Sequence, residues 1–296
     1  MTQFIELFIN GISLGFVYAL LALGFVIIFK STRVINFAHG SVVLFGAYLI
    51  ASTQDNLGFL PAVLVGVAGS AVLAALLYLV ILRRVRGRAA DTVTIATIGI
   101  DILLATELAR RIGQRVLNIG DPWRDDIVRF GDFGVPAARV AAAVVAVVLL
   151  GAFMAAFKFS RWGVAMRAAA EDGETAALMG IRLPRVALGA WCIAGALAAV
   201  GGVFLTTFPT PGVDRAAGLA ALSAFPAAIL GGLDSVVGAV VGALIIGVAV
   251  SLSGGYQDEI SFLGRGLGQV TPYVVMVLVL LVRPSGLFGT RELTRV

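Results

Sequence analysis

Long apolar runs are the feature that most restricts what this chain can fold into. The first run, residues 4–29, contains Glu6 as its only charged residue and is longer than the ~20 residues that cross a bilayer as a helix. Further apolar runs follow at 59–82, 92–112, 137–157, 186–208, 235–252 and 269–282. Their apolar residues are continuous, whereas strands of a membrane barrel alternate apolar and polar positions. The sequence therefore predicts an all-α polytopic integral membrane protein.

Charge supports a membrane location and suggests an orientation. Only 13% of the residues are charged and the mean hydropathy is +1.01, whereas soluble domains carry roughly 25% charged residues. Basic residues cluster at 83–88, 158–185 and 283–295, which we predict to be cytoplasmic because short cytoplasmic loops are enriched in Lys and Arg. With eight or nine crossings, including broken or re-entrant segments, the N-terminus is expected outside and the C-terminus inside. The net charge of +5 is taken as an orientation signal, so no nucleic-acid partner is expected.

A polar, alanine-rich segment at 163–181 interrupts the apolar pattern. Its alanines favour a short helix that Gly180 can close in a left-handed conformation. Two readings are open: a connector lying on the bilayer surface, or a helix held by a soluble protein. An acidic centre favours the second, because surface-lying helices usually carry Lys and Arg. The predicted apolar stripe is Met166, Ala169, Ala176 and Met179, beside the acidic patch Glu171, Asp172 and Glu174.

Two apolar segments contain residues that interrupt a helix. The first interrupted segment, 36–48, begins with Asn36, His39 and Gly40, which either cap a broken helix or line the translocation pathway. The second interrupted segment, 218–234, contains Pro226 and the pair Gly231 and Gly232. Interrupted segments in matching halves point to a translocation site, although the internal repeat is faint. No metal site is predicted, since His39 is the only histidine and Cys192 the only cysteine.

Acidic residues inside apolar runs have structural and functional interpretations. Glu107 can pair with Arg110 or Arg111 on one helix face, whereas Asp101 either accepts a hydrogen bond from Thr97 or faces a neighbouring helix. The loop at 113–136 is polar, and alternation within it predicts a short hairpin. This loop is a solvated surface that could also meet a soluble binding protein.

Four motifs resemble those of permease subunits from branched-chain amino acid ABC importers, whose relatives include urea and amide importers. They are N-F-A-H-G at 36–40, R-A-x-A-E-D-x-x-x-A-x-L-x-G-I at 167–181, A-F-x-A-A-I-L-G-G-L-D-S-x-x-G-A-x-x-G at 224–242, and R-P-S-G-L-F-G at 283–289. Asp234 stands where the family pattern has a small or uncharged residue. The resemblance covers nearly the whole chain, and it implies a single permease domain over 1–296 in a bacterial plasma membrane.

The resemblance also implies partners and roles. Residues 163–181, hereafter the coupling segment, would dock on a cytoplasmic ATPase. Two such ATPase subunits, a second related permease (or a second copy) and an external solute-binding protein are expected around this lipid-embedded chain. The residues predicted to couple are Arg167, Ala170, Glu171, Asp172, Leu178 and Gly180. The residues predicted to line or gate the pathway are Asn36, His39, Gly40, Pro226, Gly231 and Gly232.

Energy for uphill transport is expected to come from another chain. The sequence lacks the phosphate-binding G-x-x-x-x-G-K-[ST] loop, so ATP-Mg would be bound by the ATPase partners and the chain is not expected to be an enzyme. The alternative is an ion-coupled secondary transporter or channel, which Asp101, Glu107 and His39 would serve. A membrane scaffold is a third, poorly supported reading, because a scaffold needs no broken helices. Which amino acid, urea or amide is carried does not follow from these residues.

Overall fold

Twelve helices and one hairpin make up the part of the chain that the structure describes. This computed structural model describes residues 2–82, 90–123, 126–130, 133–207, 211–214, 216–259 and 266–289. The helices are α1 Thr2–Thr32, α2 His39–Leu57, α3 Phe59–Leu77, α4 Ala90–Ile112, α5 Ala137–Phe159, α6 Arg161–Glu171, α7 Gly173–Leu178, α8 Leu183–Leu205, α9 Ala217–Leu222, α10 Ala224–Gly231, α11 Val236–Gly255 and α12 Leu267–Val282. A π-helical turn, Tyr78–Leu82, follows α3, and the strands are β1 Ile127–Phe130 and β2 Phe133–Pro136.

Helix α1 lies at the centre of the bundle and packs closely on α11. A Cβ built on Gly11 would lie 2.6 Å from the Cα of Val248, and one on Gly15 would lie 2.8 Å from the Cα of Leu244. Glycine at both positions therefore lets the two backbones approach, as small residues do between membrane helices. Because Gly11 and Gly15 lie four positions apart on one helix face, the sequence predicts close helix packing here, and the structure confirms it.

Helices α2, α3 and α8 form a second group held together by small residues. A Cβ on Gly46 of α2 would lie 2.6 Å from the hydroxyl of Ser70 and 2.9 Å from Ala199, which belong to α3 and α8. Ser70 is completely buried at this contact. Close three-helix packing here keeps the start of α2 in a fixed position beside α1.

Within the described part of the chain, six helices are long and apolar enough to cross a membrane: Gln3–Thr32, Phe59–Val80, Asp91–Ile112, Ala137–Phe159, Leu183–Leu205 and Val236–Gly255. Two shorter apolar stretches, Ala217–Gly231 and Leu267–Val282, accompany them. The predicted all-helical fold, with several helices that can cross a membrane, is thus confirmed. The count of eight or nine crossings stays a prediction.

The predicted hairpin in the polar loop is present. Strands β1 and β2 pair antiparallel, with Ile127 opposite Pro136 and Val128 opposite Val135. Several predicted features lie outside the described residues: the basic cluster at 83–88, Pro209, Arg265 and positions 290–295 of the basic C-terminal cluster.

Candidate translocation and coupling sites

The two interrupted segments meet in the structure. A Cβ on Gly40, in the first turn of α2, would lie 2.8 Å from the carbonyl oxygen of Gly218 and 3.1 Å from the side chain of Leu222, both in α9. Only glycine leaves room for this approach. Helices α9 and α10 are separated at Ser223, and the buried Pro226 lies in the first turn of α10. Each interrupted segment is therefore broken near the place where it contacts the other interrupted segment.

Polar side chains satisfy the backbone where α1 and α2 are separated. Arg33 reverses the chain with a φ of 55°, a left-handed conformation that is rare outside glycine. The side-chain oxygen of Asn36 accepts from the backbone N–H of Ala38 at 3.1 Å, and the hydroxyl of Thr97 accepts from the N–H of Phe37 at 3.1 Å. Asn36 therefore satisfies a backbone group at the break, but no side chain caps α2, whose N-cap residue is Ala38.

The environment of His39 differs from that of Asn36. Its side chain is 1% exposed and meets Phe25 edge-on, with ring centroids 4.6 Å apart. The ring of Phe225, next to Pro226, is tilted against Phe25 and meets Phe37 edge-on, with centroids 5.3 Å apart in each case. A Cβ on Gly24 would lie 2.6 Å from the imidazole. His39 is thus part of an aromatic cluster that joins α1, the break and α10, and its ring caps no helix.

Gly231 and Gly232 lie apart from this cluster. Gly232 has a φ of 102°, and a Cβ there would lie 2.6 Å from the backbone nitrogen of Gly289. The backbone N–H groups of Leu287 and Phe288 donate to the carbonyls of Leu230 and Gly231 at 2.8 and 3.0 Å. The glycine pair therefore joins α10 to the C-terminal segment. Of the other predicted pathway residues, His39 belongs to the aromatic cluster, and Asn36, Gly40 and Pro226 each adjoin one of its members in the sequence.

Asp101 and Glu107, the acidic residues that the sequence analysis singled out in apolar runs, both accept hydrogen bonds from neighbouring side chains. The hydroxyl of Ser41 donates to Asp101 Oδ1 at 2.5 Å, so Asp101 faces a neighbouring helix as one of its two interpretations predicted. The other interpretation is wrong, because the hydroxyl of Thr97 donates to the carbonyl of Thr94 at 2.7 Å. Glu107 pairs with Arg110 at 2.8 Å and with Arg111 at 2.6 Å, as predicted.

The coupling segment is two helices rather than one. α6 ends at Glu171 and α7 begins at Gly173, because the carboxylate of Asp172 caps α7. Asp172 accepts from the N–H of Glu174 at 3.0 Å, from the N–H of Thr175 at 3.1 Å and from the hydroxyl of Thr175 at 2.6 Å. The hydroxyl and the N–H of Thr175 in particular lower the pKa of Asp172 below its ordinary value. Gly180 closes the segment with a φ of 86°, as predicted.

This break divides the predicted apolar stripe. Met166 and Ala176 are buried against the bundle, whereas Met179 is 80% exposed and Leu178 is 88% exposed. The stripe is therefore not one continuous face, because the turn at Asp172 changes the direction of the helix. An apolar tip, Leu178 and Met179, extends from the segment beside the exposed Glu171.

Basic side chains tie the coupling segment to the bundle. Arg167 donates to the carbonyls of Phe157 and Lys158, the latter at 3.2 Å, and so covers the C-terminal end of α5. Arg33 Nη2 donates to the carbonyl of Ala170 at 2.7 Å. The first bond positions α6 against α5, and the second joins α6 to the break between α1 and α2.

Lys30 makes a comparable connection to the second interrupted segment. Its ammonium donates to the carbonyl of Asp234, just after α10, at 2.8 Å. The end of α1 thus contacts both the coupling segment and the end of α10. Sequence reasoning missed Lys30 and Arg33, because each bond joins residues more than a hundred positions apart.

Comparisons with known proteins agree with this architecture. The model of the family described as branched-chain amino acid transport system / permease component matches residues 7–282. The high-affinity branched-chain amino acid transport system permease protein LivH of Salmonella typhimurium is 33% identical over 99% of this chain and 98% of its own length. The probable branched-chain amino acid transport permease protein LivH of Methanocaldococcus jannaschii is 30% identical over 91% of this chain and 88% of its own.

Among solved structures, PsaBC from Streptococcus pneumoniae in complex with Fab contains a chain of similar fold. Its TM-score is 0.51 at 15% identity, and the match covers 96% of this chain and 93% of that one. Family model and relatives together show what kind of protein this is: an integral membrane permease of a transport system. The chain belongs to the family of branched-chain amino acid transport system permease components.

Proposed function

We propose that this chain forms the transmembrane pathway of an ABC importer that brings branched-chain or related amino acids into the cytoplasm. Two separate ATPase subunits would bind ATP-Mg and drive transport, and a second permease, either related or identical, would complete the pathway. An external solute-binding protein would deliver the substrate to the side that carries the β1–β2 hairpin. The N-terminus would lie outside and the C-terminus in the cytoplasm.

The bond from Arg33 to Ala170 is the observation that carries this proposal. It places a direct connection between the coupling segment and the break that leads to Asn36, His39 and Gly40. A movement of α6 can therefore reach the aromatic cluster through the six residues 33–38. Such a connection is what a permease needs if a second protein supplies the motion.

The exposed tip would supply the contact with the ATPase. Leu178 and Met179 are apolar and largely exposed, so burying them in a groove on a partner would be favourable. Glu171 would provide a polar contact at the rim of that groove. Arg167, Ala170, Asp172 and Gly180 would then shape the segment, each through the contact or the backbone conformation described above.

Alternating access would follow from rearrangement around the aromatic cluster. Phe25 and Phe225 are the contacts that would separate when α10 moves relative to α1. The ion-coupled alternative is less favoured because Asp101 and Glu107 already have hydrogen-bond donors. Both carboxylates are thus held in structural contacts, which supports a transport cycle powered by separate ATPase subunits.

Site-directed cross-linking tests the proposal. With Cys192→Ala as background, Leu178→Cys in the complete complex should cross-link to the ATPase through a bifunctional maleimide. Val116→Cys is a matched control, since Val116 is also exposed (65%) but precedes the hairpin. Cross-linking of the ATPase to Val116→Cys and not to Leu178→Cys would overturn the coupling role. A membrane-impermeant maleimide, applied from outside, should label Val116→Cys alone.

A further inference from the structure

A cavity beside the coupling segment has the properties of a lipid-binding site. It has a volume of about 450 Å³, within the range of roughly 300 to 1,000 Å³ typical of ligand pockets. It lies where the ends of α1 and α5 meet the beginning of α11. Its lining combines Lys30, Lys158, Asp234 and Ser235 with the apolar residues Met154, Ala155, Phe157, Phe159, Val236 and Val237.

The positive charge of this cavity is distinctive. Lys30 and Lys158 are the only two lysines among 296 residues, and both line it. The carboxylate of Asp234 offsets one of the two ammonium charges. Helix α11, capped at Ser235, adds the positive end of its dipole. The cavity therefore favours an anion over a neutral ligand.

The apolar lining indicates where that anion comes from. Helices α5 and α11 are both among the span-length helices, and their cavity residues Met154, Val237 and Phe159 are 40%, 49% and 77% exposed. Such side chains suit acyl chains that run along the two helices, while the lysines meet a headgroup at the membrane boundary. Basic pockets between transmembrane helices bind anionic lipid headgroups in this way.

We propose that this cavity binds an anionic phospholipid of the leaflet on the side of the coupling segment. The phosphate lies between Lys30 and Lys158 near the start of α11, and the acyl chains lie against Met154 and Val237. Since Lys30 also donates to the carbonyl of Asp234, the lipid holds the ends of α1 and α11 together. This site is separate from the pathway and from the apolar tip of the coupling segment.

Native mass spectrometry of the purified complex tests the proposal. After incubation with equal amounts of phosphatidylglycerol and phosphatidylcholine, only phosphatidylglycerol should remain bound. Lys30→Gln and Lys158→Gln should each weaken its binding by about fivefold, because a lysine near the membrane surface contributes about that factor. Arg185→Gln, an exposed basic residue on the same side but outside the cavity, should leave binding unchanged.

A cavity-filling variant gives a second, charge-neutral measurement. Ala155→Phe should displace the lipid, whereas Ala152→Phe, an exposed position on the same helix outside the lining, should not. Equal retention of phosphatidylcholine, or unchanged phosphatidylglycerol binding in the Lys30→Gln Lys158→Gln double variant, would overturn the proposal. Displacement of the lipid by millimolar inorganic phosphate alone would also overturn it, since the site would then select a free anion.

Discussion

Arg33 donates a 2.7 Å hydrogen bond to the backbone carbonyl of Ala170, which lies 137 positions later in the chain. One end of this bond is the residue that reverses the chain after α1, and the other lies near the end of α6. The guanidinium also lies over the ring of Phe29, with its central carbon 5.9 Å from the centroid. These contacts give a physical path from the coupling segment to the first break in the membrane helices.

Replacing Arg33 should separate ATP hydrolysis from transport. Asn is the suitable replacement, because it tolerates the positive φ at this position while it removes the guanidinium. Loss of this exposed hydrogen bond is expected to lower uptake by up to about fivefold. The ATPase should still co-purify with Arg33→Asn. Uptake at the wild-type rate by Arg33→Asn would show that this bond does not contribute to coupling ATP hydrolysis to transport.

The predicted roles of Glu171 and Asp172 separate in the structure. Asp172→Ala removes the cap of α7 and should accelerate amide hydrogen exchange at Glu174 and Thr175. Glu171→Gln should leave that exchange unchanged, because no capping bond involves its carboxylate. Similar exchange in the two variants would mean that α7 does not depend on its cap.

The cap should also respond to acid. The pKa of Asp172 is lowered in the folded state, so its contribution to α7 is present above the ordinary aspartate pKa of ~3.9 and is lost as the pH falls through the folded value. Protection factors at Glu174 and Thr175 should therefore be constant from pH 6 to 8 and decrease only in strong acid.

Packing between α1 and α11 should be sensitive to a single methyl group. Gly15→Ala places a Cβ against the backbone of Leu244 and is expected to destabilise the protein by about 1–3 kcal/mol, as overpacking does. Gly151→Ala is the matched control, because nothing lies within 4 Å of a Cβ at Gly151. Thermal unfolding in detergent should show a lower Tm for the first variant only. Equal Tm values would mean that the two helices can separate without cost.

Replacing Asp101 tests whether this chain is an ABC permease or an ion-coupled transporter. Asp101→Asn keeps the oxygen that accepts from Ser41 and removes the ionisable group. Uptake should stay within about twofold of wild type, because the hydrogen bond from Ser41 is retained. Complete loss of uptake with an intact fold would favour proton coupling through this carboxylate.

Features that depend on local spacing were predictable from the sequence. The four-residue spacing of Gly11 and Gly15 predicts close helix packing. The spacing of three and four residues from Glu107 to Arg110 and Arg111 predicts the two ion pairs, because residues at these spacings share a helix face. Asp172 was missed as a cap because the alanines on both sides favour one continuous helix. The D-G-E-T sequence at 172–175 carried the signal, since Asp is among the best N-cap residues.

Long-range contacts could not be predicted in the same way. Nothing in the sequence near Arg33 indicates Ala170, and nothing near Lys30 indicates Asp234 or Lys158. Each of these contacts depends on how α1 packs within the bundle. For the same reason, the contacts of Gly231 and Gly232 with the C-terminal segment could not be predicted from the sequence.

Uptake of labelled leucine into proteoliposomes tests the central claim most directly. Liposomes that contain this chain with its permease partner, both ATPase subunits and the solute-binding protein should accumulate leucine when ATP is supplied on the side of the ATPases. Liposomes with the chain alone should accumulate none, with or without an ion gradient. ATP-independent accumulation by the chain alone would contradict the account.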